Sequence, residues 1–304
     1  VNARAAPAAA RVEAQAKLNL FLRVVSREQN GYHELETLFQ RISLADTVTV
    51  RTGVAGRTLD CRGEDAGPTE RNLAWRAALA FSAASGWPDG FAIEIEKRIP
   101  VGGGLGGGSA DGAAVLRALN AIAPRTVSAE ALSVLAFGLG ADVPYLVSEM
   151  PLALGTGRGE RLRTLDSLPS RDVVLLVPPF GVSSAAAFAA WDAANAGSLI
   201  PSRTPRTALP SRSHLEWGTI AEYAANDLEE AVFAQHPQIA ALQRMLASAG
   251  AQIARMTGSG SAVFGVFEPG AAPRVSSLAI DATQFGAKSI HATTIERVSD
   301  VEMI

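Results

Sequence analysis

Cysteine is nearly absent: Cys61 is the one thiol in 304 residues, which excludes an internal disulfide and leaves a cysteine-based metal cluster without ligands. That usage fits a reducing cytoplasm. The four histidines, His33, His214, His236 and His291, lie far apart without zinc spacing, so no protein-held metal site is expected. Long apolar runs are missing too. The N-terminal "VNARAAPAAARVEAQ" has no continuous apolar core of the signal-peptide kind, no later segment reaches membrane-spanning length, and residues 1–12 read as a disordered leader. Charge of one sign is concentrated nowhere: the net charge is −3 and Lys and Arg are dispersed, which argues against a nucleic-acid or membrane-surface partner. What remains is a chain with 48% hydrophobic residues, long enough for two domains or one large one, with a small diffusible ligand as its expected partner.

Glycine is plentiful, and it gathers in "IPVGGGLGGGSADG", from Ile99 to Gly112. Gly102, Gly104 and Gly107 satisfy the dinucleotide-binding spacing G-x-G-x-x-G. The flanks argue against that fold. "FAIEIEKRIP" before the loop alternates, with Phe91, Ile93 and Ile95 on one face and Glu94 and Glu96 on the other, whereas the first strand of a dinucleotide-binding unit is apolar on both faces. After the loop come two helices, "SADGAAVLRALNAIA" and, from Ser128, "SAEALSVLAFGLG", so no strand ends in an acid about 20 residues on. A P-loop lysine is missing as well, since Ser109 and Ala110 follow Gly108. Consecutive glycines ahead of a helix instead let several N–H groups converge on one anion beside the positive end of the helix dipole, which makes a triphosphate cradle.

The rest of the chain mixes strands and helices. "AKLNLFLRVVS" reads as a strand, Asn30-Gly31 as a turn, and Thr47 to Arg51 as a second strand. A helix is predicted from Arg71 to Gly86, a hairpin in "MPLALGTGRGERLRTL", a buried strand in "RDVVLLVPPFGVS" and a helix in "SAAAFAAWDAANAG". Prolines between residues 198 and 214 predict a mobile connection. Helices over 221–233 and 237–249, a hairpin in "ARMTGSGSAVFGVF" and a last strand over 289–295 complete an α+β chain that divides near residue 165.

Three segments in order, "AKLNLFL", "PVGGGLGGGSADGA" and "MTGSGSAVFGVF", resemble the motifs of the GHMP kinases, the family of galactokinase, homoserine kinase and mevalonate kinase. "NGYHELETLFQ", "GADVPYLV", "GRGE" and "NDLE" narrow the resemblance to members that act on a cytidylyl sugar alcohol, and the match runs from about Ala14 to the last strand. The resemblance implies a two-domain fold: a ribosomal-protein-S5-like, ATP-binding half over 13–165, a ferredoxin-like substrate half over 166–304, and the active site in the cleft between them. It implies ATP and Mg2+ as cofactors and a monomer or weak homodimer. Alternatives are a homoserine- or mevalonate-type kinase and a catalytically silent nucleotide-binding regulator.

Read singly, Asp142 before Val-Pro is a turn or cap residue, Lys17 a solvated strand residue, Tyr32 and His33 a turn pair, and Phe188 a core aromatic. The resemblance gives them roles. Asp142 would accept the proton of the substrate's hydroxyl, and Lys17 would stabilise the developing negative charge. Pro100, Val101, Gly102, Gly103, Gly104, Leu105, Gly106, Gly107, Gly108, Ser109 and Ala110 would wrap the ATP phosphates, with Asn72 and Lys97 near the nucleotide. Tyr32 would stack on the cytosine, His33 would bond to its edge, Phe188 would close the other face, and Asn19 would sit beside the erythritol end. Two departures stand out: Ala110 replaces the second serine of the family's "GGGSSDAA", and Tyr145 and Leu146 replace two phenylalanines.

Overall fold

The computed structural model describes residues 8–64, 67–196, 215–270 and 282–304. The predicted mobile connection over 198–214 lies outside them, as do residues 1–7 of the predicted leader. The leader ends earlier than expected. Strand β1 (Ala9–Arg27) already pairs at Ala9 with Arg51 of β2 (His33–Thr52), because Ala10, Val12 and Ala14 alternate into the core.

These two long antiparallel strands organise the first sheet, whose order is β11 (Glu302–Met303), β1, β2, β4 (Phe91–Glu96), β3 (Arg57–Arg62). β4 (Phe91–Glu96) pairs with the end of β2 from Thr47 to Thr52, and its alternation buries Phe91, Ile93 and Ile95. β5 (Leu152–Gly157) pairs with the beginning of β2 from Leu35 to Gln40 and carries β6 (Arg161–Thr164) on its outer side. The edge strand β3 (Arg57–Arg62), parallel to β4, offers the core only Leu59 and Cys61, both half-buried, and so gives a weak hydrophobic signal in the sequence. β11 (Glu302–Met303) returns the chain's end to β1, so the last residues of the predicted 166–304 half belong to the first sheet.

Helices α1 (Leu73–Ser85), α2 (Gly107–Ile122), α3 (Ala129–Leu139) and α4 (Val143–Val147) share one core with this sheet. The second sheet has the order β10 (Lys288–Thr293), β7 (Asp172–Val177), β9 (Val263–Phe267), β8 (Ile253–Met256). The unbroken apolar run of β7 has a physical reason: Val173, Leu175 and Val177 face the first core, while Val174 and Leu176 face a second. That second core includes residues of α5 (Ser184–Ala194), α7 (Glu229–Gln235) and α8 (Pro237–Ser248). The helix predicted over 221–233 is two, α6 (Trp217–Tyr223) and α7, because Asn226 between them leaves the helix. Its side-chain amide donates to the carbonyl oxygens of Met256 and Gly258, both at 2.8 Å. No helix among the described residues is long and apolar enough to cross a membrane.

Arg41 is the largest fully buried side chain. Its guanidinium donates to the carbonyl oxygens of Tyr145 (2.9 Å), Leu146 (2.9 Å), Ser148 (2.7 Å) and Met150 (3.2 Å), where α4 ends and turns toward β5. A cation at a helix C-terminus meets both the orphan carbonyls and the negative end of the dipole. Its charge lies 5.1 Å from the Tyr145 ring, which stacks on Phe39 at 4.7 Å. Burial pulls the Arg41 pKa down to about 10, which still leaves the cation in place at neutral pH. Arg41→Met strands four carbonyls and is expected to lower the unfolding free energy by about 3 kcal/mol. Urea denaturation checks this; a loss below about 1 kcal/mol contradicts the anchoring role.

Candidate active site

Between two irregularities in the pairing of β1 with β2, residues 17–19 keep regular strand alternation, so Lys17 and Asn19 share a face opposite Leu18 in the core. The Lys17 ammonium donates to Asn19 Oδ1 at 2.6 Å and lies 3.3 Å from Asp142 Oδ2. Asn19 is fixed in turn: its amide donates to Thr37 Oγ1 at 2.8 Å, and Thr37 donates to the carbonyl of Phe21 at 2.7 Å. Asp142 precedes α4 in helical conformation, and its side chain makes no capping hydrogen bond. The cap reading of that residue is therefore replaced by a carboxylate 32% exposed beside a lysine that is almost wholly buried.

The glycine loop docks on the turn between β8 and β9. Ala262 N–H donates to the carbonyl of Gly103 at 3.1 Å, and the Thr257 hydroxyl lies 3.3 Å from the carbonyl of Gly104. A Cβ at Gly104, where φ is +77°, would meet the Thr257 carbonyl oxygen at 2.2 Å, so only glycine fits there. Gly106, at φ +75°, caps α2 with no side-chain acceptor, and a Cβ there would touch the stem of Lys17 at 3.1 Å. The first N–H groups of α2 thus keep their donors for something other than the protein.

A cavity of about 950 Å3 joins these parts, lined by Lys17, Asn19, Asp142, Gly104, Gly106, Gly107, Gly108 and Ser109 at one end and Tyr32, His33, Phe188 and Asp192 at the other. At the far end the predicted aromatic residues meet protein groups. Tyr32 is 58% exposed, with the Arg158 guanidinium 3.8 Å over its ring and Glu28 paired to Arg158 at 2.7 Å. His33 is buried, its Nε2 2.8 Å from Asp192 Oδ1, and Phe188 stacks on the imidazole at 4.7 Å and 15°. Asp192 follows Phe188 by one helical turn, a spacing that the sequence carried.

Of the other predicted nucleotide contacts, Asn72 and Lys97 border the glycine loop and Ala110 turns away from it. Asn72 uses its side chain to cap α1, accepting from Ala74 N–H at 2.9 Å, and with Lys97 and residues 100–108 it lines a second cavity of about 170 Å3. The Lys97 ammonium is buried between Asp46 and Asp111 and is consumed by them. Ala110 is packed in the first core and lines neither cavity, because residue 110 points inward on α2. A hydroxyl there would face the core, so its loss leaves the cradle unchanged. Sequence reasoning missed Thr37, Thr257, Arg158 and Asp192; of these, Thr257 opens the glycine-bearing "TGSGS", a signal already in view.

Comparison with known proteins gives the family. Residues 72–149 match the model of the GHMP kinases N terminal domain and residues 206–277 that of the GHMP kinases C terminal domain. A 4-diphosphocytidyl-2-C-methyl-D-erythritol kinase of Desulfotalea psychrophila is 42% identical over 260 residues, covering 84% of this chain and 85% of its own. A crystal structure of 4-(cytidine 5'-diphospho)-2C-methyl-D-erythritol kinase superposes with a TM-score of 0.73 at 34% identity, over 93% of this chain and 98% of its own. Homoserine kinase from Cytophaga hutchinsonii, with a TM-score of 0.70 at 16% identity over 100% and 99% of the two chains, shares the fold. The chain belongs to the GHMP kinases and, among them, to the family of 4-diphosphocytidyl-2-C-methyl-D-erythritol kinases.

Proposed function

We propose that the protein transfers the γ-phosphoryl group of ATP to the 2-hydroxyl of 4-diphosphocytidyl-2-C-methyl-D-erythritol, a step of non-mevalonate isoprenoid precursor synthesis. One arrangement carries the reading: the Lys17–Asp142 pair opens on the same cavity as the glycine loop and the Tyr32, His33 end, and relatives of that activity span most of the chain. Asp142 takes the proton of the acceptor hydroxyl as its oxygen attacks the γ-phosphorus; the bond to the bridging oxygen breaks and ADP leaves. Lys17 and the first N–H groups of α2 stabilise the charge spread over the transferring group, at no cost in reorganisation because Asn19, Thr37 and Gly106 already hold them.

Magnesium fits the site through the nucleotide rather than through a protein cage. Among the described residues no three His, Cys, Asp or Glu side chains are grouped to hold a metal, whereas Ser109 and Asp142 line the end of the cavity where phosphates would lie. When bound it neutralises charge on the β- and γ-phosphate oxygens. A silent regulator has no use for a lysine buried against a carboxylate at the mouth of an anion cradle. The homoserine- and mevalonate-type kinases share the fold alone at 16% and 10% identity, and so carry no argument about the acceptor.

The deciding experiment is a coupled assay of ADP release with ATP, magnesium and the cytidylyl substrate; release at background level overturns the assignment. Asp142→Asn is expected to lower kcat by about 100-fold or more with the KM for ATP little changed, and near-normal turnover would remove its role as base. Tyr32→Ala is expected to raise the KM for the cytidylyl acceptor by about tenfold and leave that for ATP unaltered. Equal effects on both substrates would point to another acceptor.

A further inference from the structure

Three ionisable side chains are buried together beside the glycine loop: Asp46, Lys97 and Asp111. Charges taken out of water contribute little net stability, and apolar residues of the same volume serve a core as well or better. Such a cluster is best explained by what it holds in place. Asp46, wholly buried on β2, accepts the N–H of Arg98 at 2.5 Å and of Ile99 at 2.8 Å on Oδ1, and the ammonium of Lys97 on its other oxygen. Arg98 and Ile99 lead directly into Pro100, where the loop starts. The same ammonium donates to Asp111 Oδ2 at 2.7 Å, on α2, where the loop has ended. It also lies 3.4 Å from the position of a Cβ on Gly107, directly behind the first residue of that helix.

We propose that Asp46, Lys97 and Asp111 form a brace that ties the entry of the glycine loop to its exit, and that Asp46 and Asp111 are positioning residues for the nucleotide phosphates. The brace rests on the kinase reading above for what the loop binds, and on geometry alone for how the loop is held. Lys97 therefore serves the nucleotide from behind the backbone, with its side chain 2% exposed. Asp111 Oδ1 is buried with no hydrogen-bond partner among the described residues. Burial outweighs the attraction of Lys97 and pushes this carboxyl up to about 7, consistent with a group kept for its contact and not for its own stability.

Asp46→Asn offers the right shape with the wrong donors: its amide faces either the ammonium or the two N–H groups. Amide exchange over residues 98–108 is expected to quicken by about tenfold or more, with β1 and β2 protected as before. The Kd for ADP, by calorimetry, should rise by about tenfold, and the KM for the cytidylyl acceptor should stay within about twofold. A variant that melts earlier but keeps its loop exchange and ADP affinity overturns the brace. If Asp46→Asn does not fold, Asp111→Asn is read in the same way; failure of both to fold also overturns it, since the cluster would then serve the whole domain. Wild-type protein that binds no ADP would overturn the kinase reading and leave loop exchange to decide the brace.

Discussion

β4 and β5 pair with the two ends of β2 and leave the stretch from Arg41 to Asp46 between them without a strand neighbour on that side. Backbone groups in the middle of a sheet need partners, and this stretch takes them from distant segments. Arg41 N–H donates to the carbonyl of Pro151 at 2.9 Å, Ile295 N–H to the carbonyl of Arg41 at 3.2 Å, and Thr293 N–H to Ser43 Oγ at 2.9 Å. A buried charge stands at each end of the opening. Arg41 gathers the carbonyls of α4 and the turn after it, which sets Asp142; Asp46 gathers the N–H groups that lead into the glycine loop. Across the hairpin, Lys17 is the register partner of Arg41. The proposed base, the lysine and the proposed phosphate cradle are thus all referred to six residues of one strand in the middle of a packed sheet.

Opposite charges do different work at the two ends because the backbone offers opposite poles. A helix terminus that ends in carbonyls attracts a guanidinium, which forks over several acceptors, and a chain segment that presents successive N–H groups attracts a carboxylate. Neither Arg41 nor Asp46 has its charge cancelled by a single ion-pair partner on the surface; each is solvated by peptide dipoles, with Lys97 added at Asp46. The same principle recurs at the working end. The N-terminus of α2, capped by a glycine in left-handed conformation, presents N–H groups that a phosphate can use in the way the Asp46 carboxylate uses those of Arg98 and Ile99.

The sequence carries the periodic parts of this design openly. Alternation in "FAIEIE" and the helical spacing of "LAWRAALAFSAAS" correspond to β4 and α1 within a residue or two, and the helix after the glycines begins at Gly107. Strand β3 and the break at Asn226 were hidden, since one is an exposed edge and the other is decided by carbonyls that are distant in sequence. Among the site residues, Lys17, Asn19, Asp142 and the glycines converge on one cavity, whereas Lys97 and Ala110 turn inward. Arg41 and Asp46 left no trace. What they bind is main chain, which no pattern of side chains reports.

On the proposed reading, the site divides into rigid and adjustable parts. The groups proposed to handle phosphate are tied to the centre of β2. The far end of the cavity is built from tips: the turn before β2 that carries Tyr32, the β5–β6 turn that carries Arg158, and α5 of the other half of the chain, which carries Phe188 and Asp192. Turns accept substitution and insertion without disturbing ladder hydrogen bonds, whereas a change near Arg41 or Asp46 strands buried peptide groups. Acceptor choice can therefore change at the tips while the geometry of phosphoryl transfer stays where the strand's interrupted pairing put it.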